Sequence, residues 1–189
     1  MNEAVRSKKP KKMTEKRLQN IALYYCQRYV VSRGKLEEHL RNRVYREVKE
    51  DLLRKSMLDY IGTVVSTMVE FGYVNDKEAA SAKLRGALRA GNSLKRSVYL
   101  ARKKSMVAGC VVEGELDAAL ENTLDIGDVD EIKNAGGDAK MALAALQKAN
   151  RGPFRTGRVD DKTKRQDFAW LQRRGYRLED IKTAMRMEE

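Results

Sequence analysis

Between Ser81 and Lys104 every charged side chain is basic: Lys83, Arg85, Arg89, Lys95, Arg96, Arg102, Lys103 and Lys104. Arginine presents a planar fork that matches phosphate or carboxylate, and lysine adds a point charge. Two adjacent helices without acids repel each other unless an anion or an acidic surface faces them. Two smaller clusters have the same character. One is Arg173 and Arg174, with Trp170 and Tyr176 close in sequence; the other is Arg41 and Arg43. An aromatic ring beside arginine can stack on a nucleobase, or it can fill the core of a small helical bundle. The chemistry to look for is therefore anion binding along a surface. The residues that carry it are Arg89, Lys95, Arg96, Arg102, Lys103 and Lys104 first, then Arg173 and Arg174, then Arg41 and Arg43.

Catalytic chemistry has no comparable constellation. His39 is the single histidine and sits in a charged segment, where it reads as a surface residue. No Gly-x-Gly-x-x-Gly or Gly-Lys-Ser/Thr phosphate loop occurs, and serine, histidine and acid do not combine in a nucleophile motif. Asp125-Ile126-Gly127-Asp128-Val129-Asp130 is acidic, but its carboxylates and glycine miss the spacing of a calcium-binding EF-hand. Cys26 and Cys110 have neither metal-ligand spacing nor the number a disulfide framework needs. The expectation is a protein that is not an enzyme and uses no cofactor and no metal.

The whole chain agrees with a binding role. Its 189 residues carry a formal net charge of +12, which favours an anionic partner: nucleic acid, an acidic protein face or a membrane surface. No apolar run approaches the roughly 18–20 residues of a membrane span. The basic N-terminus is not followed by an apolar signal segment. A soluble, cytoplasmic protein is expected.

The elements that must position these charges are helices. Pro10 and Pro153 are the only prolines, so the long span between them holds no residue that forbids a helix. Residues 1–13 are lysine-rich and too polar to offset chain entropy, and they read as a disordered tail. Leu18, Ile21, Ala22, Tyr25 and Tyr29 then form one helical face behind Thr14 as N-cap. Ser32-Arg33-Gly34 separates it from a second stripe, Leu36, Leu40 and Val44. Ile61, Val64, Val65, Met68 and Val69 make a third, closed by Gly72. Asn75 and Glu78 outline a capping box. Ala80, Leu84, Ala87 and Leu88 follow up to Gly91, and Asn92-Ser93 caps a helix from Leu94 to Ala101. Further helices are expected over Leu116–Thr123, from Asp138 as cap to Ala149, from Asp160 or Asp161 to near Gly175, and from Leu178 to Met185. Every charged residue from Glu113 to Glu131 is acidic, which reads as an exposed helix end and linker.

The pattern is a tandem array. The second helices of three groups end alike: Leu40-Arg41-Asn42-Arg43-Val44-Tyr45, Ala101-Arg102-Lys103-Lys104-Ser105-Met106 and Leu171-Gln172-Arg173-Arg174-Gly175-Tyr176. The expected fold is all-α, an elongated and curved array of three three-helix repeats. These span 14–73, 74–124 and 138–189, with an acidic linker at 125–137.

With that register, Phe71-Gly72-Tyr73-Val74-Asn75-Asp76 resembles the Gly-Tyr-(Leu/Val)-(Asp/Asn)-Asp signature of the RecX family, bacterial regulators of the RecA recombinase. Ala79 follows where that family usually has alanine. Lys83–Met106 is similar to its second repeat and Leu171–Met185 to its C-terminal repeat, so the resemblance runs from about Lys16 to Met185. The basic N-terminal tail, residues between Tyr45 and Leu58, the long acidic linker and Ser105 in place of glycine depart from the family pattern. The resemblance implies a protein without catalytic residues, and a monomer is expected. It would bind the groove of the RecA–DNA filament, lower its ATPase and strand exchange, and touch single- or double-stranded DNA as a secondary contact. A direct DNA-binding helical protein that acts without RecA is the alternative.

Overall fold

Five of the helices begin where a short polar side chain takes up an orphan backbone N–H. Thr14, Ser32, Asn75, Ser93 and Asp160 all adopt extended backbone and accept from the residue three positions on. The computed structural model of the protein describes residues 12–123, 137–157 and 160–186. Among them are ten α-helices, one short 3-10 turn and no strand, so the fold is all-α. No helix among the described residues is long and apolar enough to cross a membrane.

The chain divides into two units at Val74/Asn75. The first holds α1 (Glu15–Arg28), α2 (Arg33–Glu47) and α3 (Asp51–Glu70). Its core is built by helical spacing. Leu18 and Ala22 come from α1, Leu36, Leu40 and Val44 from α2, and Ile61, Val64, Val65 and Met68 from α3. Burying a leucine or isoleucine of this kind contributes about 1.5–3 kcal/mol. Met13, placed in the tail by composition, is buried in the same core at 4% exposure. An ion pair of 2.8 Å from Arg17 to Glu47 ties α1 to α2. The third helix starts at Asp51, ahead of the apolar stripe that announced it. It ends at Gly72, whose φ of 72° places it in the left-handed region that favours glycine.

The second unit holds α4 (Asp76–Arg89), α5 (Leu94–Ser105), α6 (Gly109–Gly114), α7 (Leu116–Glu121), α8 (Gly137–Lys148), the 3-10 turn Gly152–Phe154, α9 (Asp161–Arg173) and α10 (Leu178–Arg186). One core runs through it: Leu84 and Leu88, Ala101, Val112, Leu120, Leu146, Leu171 and Ile181 all meet there. The helices assigned by sequence to the second and third repeats thus share one interior.

Three local expectations are corrected. The helix expected over Leu116–Thr123 is present but stops at Glu121, so Thr123 lies beyond it, and a separate short helix, Gly109–Gly114, precedes it across Glu115. Asp138 does not cap its own helix, which starts at Gly137; its Oδ1 accepts from the Leu94 N–H at 3.2 Å and so serves the start of α5. Leu178, expected on an apolar face, is 52% exposed, while Ile181 and Ala184 fill the core. The tail up to residue 11 and the linker residues 124–136, with the acidic Asp125–Asp130 stretch, lie outside the described residues.

Candidate basic interface

The fifth helix shows why its charges face outward. Ser97, Ala101 and Ser105 are buried at i, i+4 and i+8, a stripe of small residues that brings α5 close against α4. The buried hydroxyls are satisfied within the helix or its cap: Ser105 Oγ donates to the Ala101 carbonyl at 2.7 Å and Ser97 Oγ to the Asn92 carbonyl at 3.4 Å. With that face consumed by packing, Lys95, Arg96, Arg102, Lys103 and Lys104 are all exposed. Lys95 and Arg96 sit in the first turn. Arg102, Lys103 and Lys104 sit in the last turn, where they complement the helix dipole. The two groups are separated by about 10 Å along the helix axis.

The turn between α4 and α5 is docked on the turn between α9 and α10. The Ser93 N–H donates to the Arg174 carbonyl at 3.0 Å, and Tyr176 Oη donates to the Gly91 carbonyl at 3.2 Å. Gly175 has φ of 84°, and a Cβ on it would stand 2.8 Å from Arg96 Cβ; only glycine allows the approach. Lys148 Nζ reaches the Arg89 carbonyl at 3.1 Å. This docking brings Arg96 close to Arg173 and Arg174, with Arg89 and Lys95 on the helix ends that flank the docked turn.

Arg174 is half-buried, with its guanidinium carbon 3.5 Å from the centroid of the Trp170 ring; Arg151 lies 5.2 Å from the same centroid. Burial is the first cause that lowers the Arg174 pKa from its ordinary value, and the nearby Arg151, Arg173 and Arg96 act in the same direction. The Trp170 face is therefore occupied by arginine. Tyr176 is buried, at 5% exposure, and its pKa is raised first by that burial and then by the Asp138 charge. Of the two readings for these rings, the core reading holds for Tyr176.

An open cleft of about 600 Å³ continues the basic surface, lined by Arg151, Lys162, Arg165 and Arg173 together with Asp161 and Gln166. Lys162, Arg165, Gln166, Ala169 and Arg173 follow helical spacing on α9, a signal present in the sequence. Arg151 carries none, because folding across the 3-10 turn places it there. It is held by Asp167, which is completely buried. The two Asp167 oxygens accept from Arg151, from Arg155 twice and from the Gly152 N–H, each at 2.8 Å. These bonds, Arg155 first, hold the Asp167 pKa down at about 2.

Among the described residues, Arg89, Lys95, Arg96, Arg102, Lys103, Lys104, Arg173 and Arg174 have no carboxylate within ion-pair distance. Arg41 and Arg43 differ. They belong to the first unit and are paired with Glu37 at 2.9 Å and with Glu47 at 2.5 Å. No group of acids and histidines or cysteines that could hold a metal occurs among the described residues.

No protein-family model matches the chain. It is 29% identical over 172 residues to the regulatory protein RecX of Myxococcus xanthus (strain DK1622), covering 89% of this chain and 84% of that one. The crystal structure of RecX from Lactobacillus salivarius superposes with a TM-score of 0.56 at 16% identity, covering 92% of this chain and 95% of that one. The chain resembles RecX in sequence and in fold. The RecX likeness extends over most of the chain, more than either unit alone holds.

Proposed function

We propose that this chain is a non-enzymatic regulator of RecA that binds the groove of the RecA–DNA filament and lowers its ATPase and strand-exchange activity. Its setting would be DNA repair, homologous recombination and the SOS response. The observation that carries this reading is a set of basic side chains without carboxylate partners among the described residues: Arg96 close to Arg173 and Arg174, with Arg89 and Lys95 nearby in the chain and Arg102, Lys103 and Lys104 further along α5. The likeness to a protein named regulatory protein RecX supports the regulatory part. A long surface without a catalytic constellation suits a filament better than a small substrate. Basic side chains there would meet DNA phosphate and acidic protein surface together. The three-repeat arrangement and a monomeric state belong to the same proposal.

The test is RecA-dependent ATP hydrolysis on single-stranded DNA, with this protein added well below RecA stoichiometry. The expected result is a clear loss of hydrolysis that an equally basic control protein does not cause. Reversing Lys103 and Lys104 to glutamate should weaken filament binding; unchanged binding removes these residues from the interface. Unchanged hydrolysis, together with tight and steeply salt-dependent binding to naked DNA, favours the direct DNA-binding reading instead.

A further inference from the structure

The first unit contains a second cleft, of about 490 Å³, between α1 and α2. Its chemistry differs from that of the α9 cleft. Tyr24, Tyr25, Tyr29 and His39 supply its walls, and Arg28 and Arg43 stand at its edge. The rings are organised. Tyr25 and His39 are stacked face to face, 3.9 Å apart and 3° from parallel, and Tyr29 leans on Tyr25 at 5.2 Å and 52°. His39 is thus half-buried in a ring stack and is not the plain surface residue its charged surroundings suggested. Burial first, then Arg43 and Arg46, lowers its pKa, so the imidazole is neutral at pH 7.

Two of the rings are paid for by no core. Tyr24 is 60% exposed and Tyr29 55% exposed. Arg28 steadies Tyr24, with Nη1 donating to the tyrosine oxygen at 2.6 Å and its guanidinium carbon 5.5 Å from the ring centroid. Charge at the cleft favours an anion. The lining has three guanidinium groups, Arg17, Arg28 and Arg43, and the carboxylate of Glu47 is shared between Arg17 and Arg43. Arg28 has no carboxylate partner among the described residues. Lys35 and Glu38, which also act on Tyr25, are paired with each other and cancel. Asn20 offers an amide with both donor and acceptor to the edge of a planar ligand.

Planar apolar faces, a neutral hydrogen-bonding edge and adjacent guanidinium groups are the recognition set of a nucleotide. We propose that the α1–α2 cleft is a nucleotide site. It takes an unpaired nucleobase against the exposed rings of Tyr24 and Tyr29 and the attached phosphate against Arg28. The base can come from single-stranded nucleic acid or from a free mononucleotide. A paired base cannot enter, because its faces are already stacked within the duplex. The proposal concerns the first unit alone and does not rest on the RecA reading.

The experiment uses the full chain without RecA. A single-stranded oligonucleotide carrying 2-aminopurine is titrated with protein, and its fluorescence is followed beside that of the matching duplex. AMP serves as competitor. The expected result is binding to the single strand with quenched 2-aminopurine. Tyr24→Ala with Tyr29→Ala should weaken that binding roughly tenfold, the scale of losing base stacking on an aromatic ring. Tyr24→Phe with Tyr29→Phe should keep it, because the ring faces remain. Arg28→Gln should lower the salt slope by about one phosphate contact. Competition by AMP assigns the site to a free nucleotide, and its absence assigns it to a polynucleotide strand. Equal binding of duplex and single strand, or an alanine variant that binds and quenches as the unaltered chain does, overturns the proposal. The Phe variant and Arg28→Gln still decide the matter if the alanine variant does not fold. Failure here leaves the RecA assay untouched, and failure there leaves this site untouched.

Discussion

Arg174 lies over the face of Trp170 at 3.5 Å while its Nε donates to the Ala90 carbonyl at 3.4 Å. The contact fixes a cation that would otherwise swing freely, and it does so at the place where the α4–α5 and α9–α10 turns meet. A cation–π contact of this kind contributes about 1–2 kcal/mol when partly desolvated. A double-mutant cycle with Trp170→Leu and Arg174→Ala, read by urea unfolding, should give a coupling energy of about 1 kcal/mol. Additive losses would mean that the stack contributes nothing beyond packing.

Asp167 should be the most sensitive polar position in the second unit. Asp167→Asn leaves Arg151 and Arg155 without their carboxylate and should cost about 3 kcal/mol, the lower end for a broken buried pair because both arginines are partly exposed. The pH dependence has a definite sign. The folded pKa of about 2 lies below the ordinary 3.8, so the unfolded chain takes up the proton first as pH falls. The stabilisation is complete above about pH 4 and is lost as pH drops through about 2. Unfolding curves of the two proteins from pH 7 downward should therefore converge only in strong acid; a constant gap across that range would contradict the assignment.

Like charges gathered on one face should weaken the fold that presents them. Replacing Arg96 and Arg173 by glutamine should raise stability by about 0.5 kcal/mol at low salt, and the gain should vanish near 0.5 M salt as screening sets in. The same variant should bind the filament less well. Stability and binding moving in opposite directions is the expected signature, and a variant that loses stability at low salt would argue against repulsion at this face.

Met106 closes α5 in the left-handed region, with φ of 57°, where Gly72, Gly91 and Gly175 occupy the same conformation at the ends of α3, α4 and α9. A side chain there costs roughly 1 kcal/mol. Met106 is 48% exposed, so its removal loses little burial. Met106→Gly should stabilise the protein by about 0.5–1 kcal/mol in thermal or urea unfolding, and a destabilised variant would show that the methionine packs more than its exposure implies.

Features that depend on residues close in sequence were legible beforehand. Thr14, Ser32, Asn75, Ser93 and Asp160 announce their helices because an N-cap and the backbone N–H that donates to it are three residues apart. The core stripes of α1 to α4 follow helical periodicity for the same reason, although Tyr29, expected on the α1 face, lies beyond that helix and is exposed. What was missed depends on the chain returning to itself. Asp138 serves a helix that begins 44 residues earlier. Arg151 and Arg155 meet an aspartate 16 and 12 residues away. His39 finds Tyr25 on another helix. Of the basic residues singled out, those of α5 and the end of α9 are exposed without carboxylate partners, apart from the half-buried Arg174. Arg41 and Arg43 already have acids four residues on either side, a pairing that spacing alone makes visible.

The clasp around Asp167 also bears on how the protein is cut. A trypsin-like protease must draw an arginine side chain fully extended into a deep pocket and bind several residues of backbone on each side of it. Arg151 and Arg155 flank a short turn that invites such attack, yet both guanidinium groups and the Gly152 N–H are held by one buried carboxylate. Cleavage at these two bonds must wait for the turn to come away from α9, so their resistance to digestion is a direct clock for the opening of that segment.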